Sequence, residues 1–209
     1  MSKERILSEV SEYYDDKLKV HGATPRGVDW NSSESQELRF VQLMKVIRNW
    51  TGDNTILDYG CGLGDLLKFI ESVQSLNGCQ YTGFDISKEM ISQAANIHRN
   101  SLALWVSEDT ELNKYDYTVA SGIFNVKQKV ETEVWENYIL DTLNHMNELT
   151  INGFSFNMLT SYSDTEYMKD YLYYADPMYY FDFCKRNFSK NVALLHDYDL
   201  FEFTILIMK

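Results

Sequence analysis

The chain of 209 residues is poor in proline, with two, and in cysteine, with three, and its 19 Lys and Arg are outnumbered by 31 Asp and Glu. Each shortage closes a class of answer. Cys61, Cys79 and Cys184 are odd in number and lack a Cys-x-x-Cys spacing, which argues against a disulfide framework or a zinc ribbon and fits a reducing, cytoplasmic setting. A formal net charge of −12 repels a phosphate backbone unless cations gather on one face, so no nucleic-acid partner is expected. No stretch approaches the roughly 18 uncharged residues of a membrane span, and charges run through the first 20 residues, so neither a span nor a secretory leader is predicted. The four histidines, His21, His98, His145 and His196, form no pair at metal-ligand spacing, and no metal is expected.

Against these shortages the chain is 44% hydrophobic and 14% aromatic, enough apolar surface for one core of ordinary size. Apolar residues at three- and four-residue spacings predict a helix over Arg5 to Lys19, and a second follows the hydroxyl-rich Ser32 to Ser35 and runs to about Trp50. Beyond Thr51, short apolar runs alternate with helical ones. Strands are predicted at 55–58, 80–85, 103–106 and 115–120, with helices at 66–76, 88–98 and 135–149, a strand at 153–158, and a closing pair at 192–195 and 201–207. That alternation predicts an α/β fold: a seven-stranded, mostly parallel sheet with helices on both faces. The last two strands are joined too closely for anything but an antiparallel hairpin. The expected organisation is an N-terminal helical cap over 1–50 and a sheet domain over 51–209, interrupted at about 161–188 by a stretch that holds nearly half of the 15 tyrosines.

The sharpest local feature is Asp58-Tyr-Gly-Cys-Gly-Leu-Gly64, which joins a strand to a helix. Gly60, Gly62 and Gly64, with Cys61 between them, allow a tight turn and a close approach of bare backbone to a ligand. The spacing is Gly-x-Gly-x-Gly, not the Gly-x-Gly-x-x-Gly of dinucleotide sites, and Asp58 and Asp65 would repel a pyrophosphate but attract an ammonium. Asp85 ends the next strand, where a carboxylate can accept from both hydroxyls of a ribose. The residues therefore point to a nucleoside that carries an amino acid. Glu108 and Asp109 follow the third strand, placed for an adenine amino group, and Ser121 follows the fourth.

Asp58 to Gly64, the acid at Asp85 and the terminal hairpin together resemble the class I S-adenosylmethionine-dependent methyltransferases. The resemblance covers about Thr51 to Lys209. It implies S-adenosylmethionine as cofactor, with its methionine part on the glycine turn, its ribose on Asp85 and its adenine beside Ile86 and Glu108 or Asp109. The segments Gly27-Val-Asp-Trp-Asn31, Gln36, Arg39-Phe40, Leu172 to Pro177 and His196-Asp-Tyr198 resemble a narrower branch, small bacterial methyltransferases associated with surface-polysaccharide biosynthesis.

Trp30, Gln36 and Arg39 precede the turn in the chain and are candidate cofactor contacts, Arg39 as a bidentate clamp on a carboxylate. The expected acceptor is a small molecule, methylated at an oxygen of a sugar, phosphorylated metabolite or polysaccharide precursor, in a pocket between the N-terminal helices and the tyrosine-rich connection. Where a hydroxyl must lose a proton, His196, His21, Asp176 and Tyr173 are the candidate bases. A non-catalytic protein on the same fold and an NAD-dependent oxidoreductase are the competing readings, and the oligomeric state, monomer or homodimer, stays open.

Overall fold

The structure, a computed structural model, describes residues 3–22, 24, 32–73, 76 and 78–209, with only the backbone of Lys3, Glu4 and His21. Its strands are β1 (Thr55–Tyr59), β2 (Gln80–Phe84), β3 (Leu104–Val106), β4 (Tyr115–Ala120), β5 (Thr150–Leu159), β6 (Asn191–Leu195) and β7 (Glu202–Met208). The helices are α1 (Lys3–His21), α2 (Ser33–Met44), α3 (Asp65–Ser72), α4 (Lys88–Ile97), α5 (Thr132–Leu149) and α6 (Pro177–Asn187). One sheet forms in the order β3-β2-β1-β4-β5-β7-β6. The first five strands run parallel, and β7 inserts antiparallel between β5 and β6. The expected architecture is therefore the observed one, with the crossover reversing between β1 and β4, where open sheets of this type bind their ligands.

Strand alternation sorts the core into two layers. Phe154, Phe156 and Met158 of β5 and Phe203, Ile205 and Ile207 of β7 meet Trp135, Ile139, Leu143, Tyr180 and Cys184 of α5 and α6. On the opposite face Phe40, Leu43 and Met44 of α2 join Leu66, Leu67 and Ile70 of α3 over Ile56 and Val119. Helix α1 crosses toward the C-terminal ends of the parallel strands. There Ile6 and Val10 join the first layer, and Leu18 packs with Leu63 and Met90.

Local chemistry explains where elements begin and stop. Ser32 caps α2 by accepting from Ser35 N (3.2 Å), Ser87 caps α4 by accepting from Met90 N (3.0 Å), and Asp176 caps α6 ahead of Pro177 by accepting from Met178 N (2.8 Å). Helix α2 ends at Met44, short of Trp50. Ser155 Oγ on β5 donates to the Leu43 carbonyl (2.9 Å), and the chain beyond tightens into turns such as Ile47 N to Met44 O (3.0 Å). Helix α3 ends at Ser72, not Leu76, since Val73 is already extended (φ −100, ψ 102). Helix α5 passes into β5 with no residue between Leu149 and Thr150.

The N-terminal part and the tyrosine-rich stretch each contribute to more than one layer. Leu43 is fully buried under the sheet, so α2 is a structural layer that also lends Gln36, Arg39 and Phe40 to the cavity wall, while α1 stands over the strand ends. The tyrosine-rich stretch likewise splits into an irregular segment at 160–176 and the core helix α6.

Candidate active site

A cavity of about 880 Å³ opens at the C-terminal ends of β1, β2 and β4, at the upper end of the range for small-molecule sites. Its floor is the glycine turn. Gly60, Gly62 and Gly64 have φ of +84, +52 and +80, a left-handed region that residues with a Cβ avoid. A Cβ at Gly60 would lie 2.2 Å from Ile123 Cγ2, and one at Gly64 would lie 2.4 Å from the Trp105 ring. The amides of Gly60 and Cys61 donate to the Phe84 carbonyl (2.8 and 2.9 Å), which pins the turn to the end of β2.

Three carboxylates surround this bare backbone. Asp58 is buried and accepts from the Tyr81 hydroxyl (2.6 Å). Burial pushes its carboxyl up to about 7; the Tyr81 bond opposes the rise, and the charges of Asp85 and Asp65 add to it. Asp85 accepts from Gly62 N and Ser87 N (both 2.9 Å); burial raises its pKa too, against these two bonds. Asp65 accepts from Gln36 Nε2 (3.1 Å), so the expected contact Gln36 stands in the cavity wall beside an acid. The thiol of Cys61 is buried, and burial followed by the nearby Asp58 charge raises its pKa, which makes it packing and not a nucleophile.

Farther along the wall stand Ile86, Glu108, Asp109 and Ser121, as the sequence places them. Glu108 pairs with Lys88 (2.7 Å) and Asp109 with His145 (2.8 Å), so both rim acids are held by neighbours. The Ser121 hydroxyl is buried and has no hydrogen-bond partner among the described residues. Over the top come Leu7, Ser11, Glu12 and Tyr14 of α1, and opposite them Tyr167, Lys169, Tyr171 and Tyr174 of the tyrosine-rich segment, with Phe201. Ser87 Oγ donates to Asp15 (2.5 Å), which ties α1 to the end of β2.

Several expected residues stand elsewhere or serve otherwise. Arg39 lines the cavity, but its Nε and Nη2 donate to the two oxygens of Glu202 (2.7 and 2.5 Å), a buried pair in place of the expected clamp on a ligand carboxylate. Trp30 lies outside the described residues, as does the side chain of His21. Three candidate bases are not in the cavity wall. His196 is exposed beyond β6, near Tyr162 and Phe203; Tyr173 donates to Glu136 (2.8 Å) on the α5 side; Asp176 is spent as the cap of α6. Each was expected near the cofactor end of the sheet; the turn out of β6, the bonds of Tyr173 to Glu136 and Tyr180, and the start of α6 place these side chains elsewhere.

His98, given no role by the sequence, supports the site. Its Nε2 meets the Leu63 carbonyl (3.1 Å) and its ring stacks on Trp105, bracing the glycine turn from behind. Glu202 and Asn157 were also not anticipated. Their signal was present in the alternation of the two strands, where polar residues occupy positions facing α2 in strands covered on both sides.

The fold and site together define a class: an α/β protein with the sheet order of the class I methyltransferases, a bare glycine turn and an acidic wall at the crossover. A family model described as a methyltransferase domain matches residues 57–150. A curated Mycobacterium tuberculosis protein named "Putative methyltransferase Rv1506c" is 47% identical over 156 residues, covering 74% of this chain and 93% of its own. The chain belongs to this methyltransferase family. Among solved structures, magnesium protoporphyrin IX methyltransferase from Synechocystis PCC 6803 with bound SAH aligns with a TM-score of 0.63 at 14% identity, covering 99% of each chain. Human N-acetylserotonin methyltransferase in complex with SAM gives 0.67 at 13% identity, covering all of this chain and 60% of its own. At these identities the likeness concerns the fold. No helix among the described residues is long and apolar enough to cross a membrane.

Proposed function

We propose that the protein is an S-adenosylmethionine-dependent methyltransferase acting on an oxygen of a small, ring-bearing acceptor such as a sugar, a phosphorylated metabolite or a surface-polysaccharide precursor. The observation that carries this reading is the gathering of Asp58, Asp65 and Asp85 around a turn whose backbone lies bare. An aminoacyl nucleoside brings an ammonium and two ribose hydroxyls to such a wall, whereas a diphosphate brings only negative charge. The fit is supported by the left-handed backbone of Gly60, Gly62 and Gly64 in the cavity floor and by the Ser121 hydroxyl, which has no partner among the described residues. The residues assigned to hold the cofactor are Asp58 and Ser121 at its amino-acid end, the Gly60 to Gly64 backbone with Cys61 and Gln36, Asp85 for ribose, and Ile86 with Glu108 or Asp109 for adenine.

When bound, the cofactor supplies a methyl group on a sulfonium, an electrophile with its own leaving group. The chain's task is then to orient the acceptor and exclude water. Helix α1 and the 160–176 segment do this as a cap over the cavity. The faces of Tyr167, Tyr171, Tyr174 and Phe201 suit a sugar or planar ring, and aromatic faces also tolerate a cation. An acceptor oxygen already ionised, as in a phosphate or carboxylate, needs no base, which agrees with His196, Tyr173 and Asp176 standing outside the wall. The three cysteines, which lack a Cys-x-x-Cys spacing, and the net charge of −12 support a cytoplasmic location and an acceptor other than nucleic acid.

Calorimetry with S-adenosylmethionine, S-adenosylhomocysteine and NAD tests the cofactor, and transfer from labelled cofactor to nucleotide sugars, phosphorylated metabolites and polysaccharide precursors tests the acceptor. Binding of both sulfur nucleosides and label in a small product are expected. NAD binding alone would overturn the reading in favour of an oxidoreductase, and cofactor binding with no acceptor in any panel would leave the non-catalytic reading standing.

A further inference from the structure

The turn after β4 is held from behind by a buried polar chain that reaches α2. Gly122 N donates to Asn157 Oδ1 (2.8 Å), Asn157 Nδ2 donates to Glu202 Oε2 (2.6 Å), and Arg39 grips the same carboxylate through two nitrogens. Asn157 is fully buried, and Arg39 and Glu202 are 7% and 3% exposed. Burying an ion pair and an amide is expensive, and apolar side chains of similar volume would stabilise this face of the sheet as well or better. The chain therefore asks for a role other than stability.

Its end point supplies one. Gly122 has a φ of +75, and the peptide that precedes it is trans, so the Ser121 carbonyl points opposite to the Gly122 N–H. That N–H is aimed at β5, on one side of β4. The carbonyl is thereby turned toward the other side, where β1 enters the glycine turn, next to the unpartnered Ser121 hydroxyl.

We propose that Arg39, Glu202 and Asn157 are positioning residues, which hold the Ser121–Gly122 peptide so that its carbonyl and the Ser121 hydroxyl receive the ammonium end of the cofactor, and which tie that orientation to α2. The proposal rests on the cofactor reading above. Asn157 itself does not line the cavity, so its effect on a ligand passes through the turn.

The test compares two ligands on the full chain: S-adenosylhomocysteine, which carries the ammonium, and 5′-methylthioadenosine, which shares the nucleoside and thioether but lacks the amino acid. Asn157→Ala should lose about tenfold affinity for the first and hold the second within about twofold. A purely structural role would weaken both alike. Parallel loss, or no loss in a variant with native circular dichroism, overturns the proposal. Glu202→Gln, which keeps the shape but replaces one of the two oxygens that accept from Arg39 and Asn157 with a donor, serves if Asn157→Ala does not fold, with the same split expected at about threefold or more. If neither variant folds, the network is structural and the proposal fails. A wild-type chain that binds neither ligand defeats the cofactor reading itself, a failure distinct from binding both with no split in the variants.

Discussion

Near neutrality the Asp58 carboxyl of the free chain is half protonated, because burial holds its pKa at about 7 against an ordinary 3.8. An ammonium seated beside it favours the ionised form, so capture of a cationic ligand drives the proton off. The magnitude follows from linkage. A ligand that requires the ionised form binds about tenfold more weakly at about pH 6 than at about pH 8, and releases about half a proton at about pH 7. Titration calorimetry with S-adenosylhomocysteine across this range, in two buffers of different ionisation enthalpy, reads both quantities. The neutral 5′-methylthioadenosine should show a level affinity, and Asp58→Asn should remove the slope for the charged ligand. A level affinity for S-adenosylhomocysteine in the wild type, or a slope that survives Asp58→Asn, refutes the electrostatic reasoning.

The same carboxyl binds its proton more tightly folded than unfolded, so its contribution to stability is full below about pH 4 and is lost as pH rises through about 7; the loss is at most about 4 kcal/mol, seen as a urea midpoint that falls less steeply in Asp58→Asn. Gly60→Ala forces a Cβ into a left-handed turn 2.2 Å from Ile123, and should lower the melting temperature by about 2 to 8 °C while weakening S-adenosylhomocysteine. Asp85→Ala should weaken the cofactor and 5′-methylthioadenosine alike by about 1.5 to 3 kcal/mol, since both carry the ribose; an unchanged affinity rejects that assignment. Arg39→Leu strands the buried Glu202 carboxylate and should cost about 3 to 5 kcal/mol in chemical denaturation, largely recovered in the double variant with Glu202→Leu. A single-variant cost below about 1 kcal/mol would show that the pair is not desolvated.

The sheet and the glycine turn in the cavity floor were legible in the sequence because both depend on local patterns. Short apolar runs such as Thr55 to Asp58 must be strands buried on both faces, and three glycines at alternate positions after one of them leave few backbone paths. The other end of the cavity, to which we assign the acceptor, was legible only as a region. Its wall is assembled from α1, the 160–176 segment and Phe201, and which side chains turn inward there depends on packing that no local pattern encodes. His196, Tyr173 and Asp176 show the limit: residues expected near the cofactor end of the sheet are placed instead beyond β6, in a buried tyrosine pair and at a helix cap. Arg39 shows the converse. Its position was anticipated, but its partner lies 163 residues away on the last strand, a pairing that only the topology reveals.

The direct passage of α5 into β5 bears on how relatives of this chain can diverge in what they methylate. One residue gained or lost within α5 would rotate the start of β5 by about a quarter turn, moving Phe154 and Phe156 out of their layer and Asn157 off Gly122. The irregular segment at 160–176, which lies outside the sheet, can change length without that rotation, and its residues Tyr167, Lys169, Tyr171 and Tyr174 line the cavity. Substrate range is thus free to drift by loop length while the helix and strand behind the cofactor keep theirs.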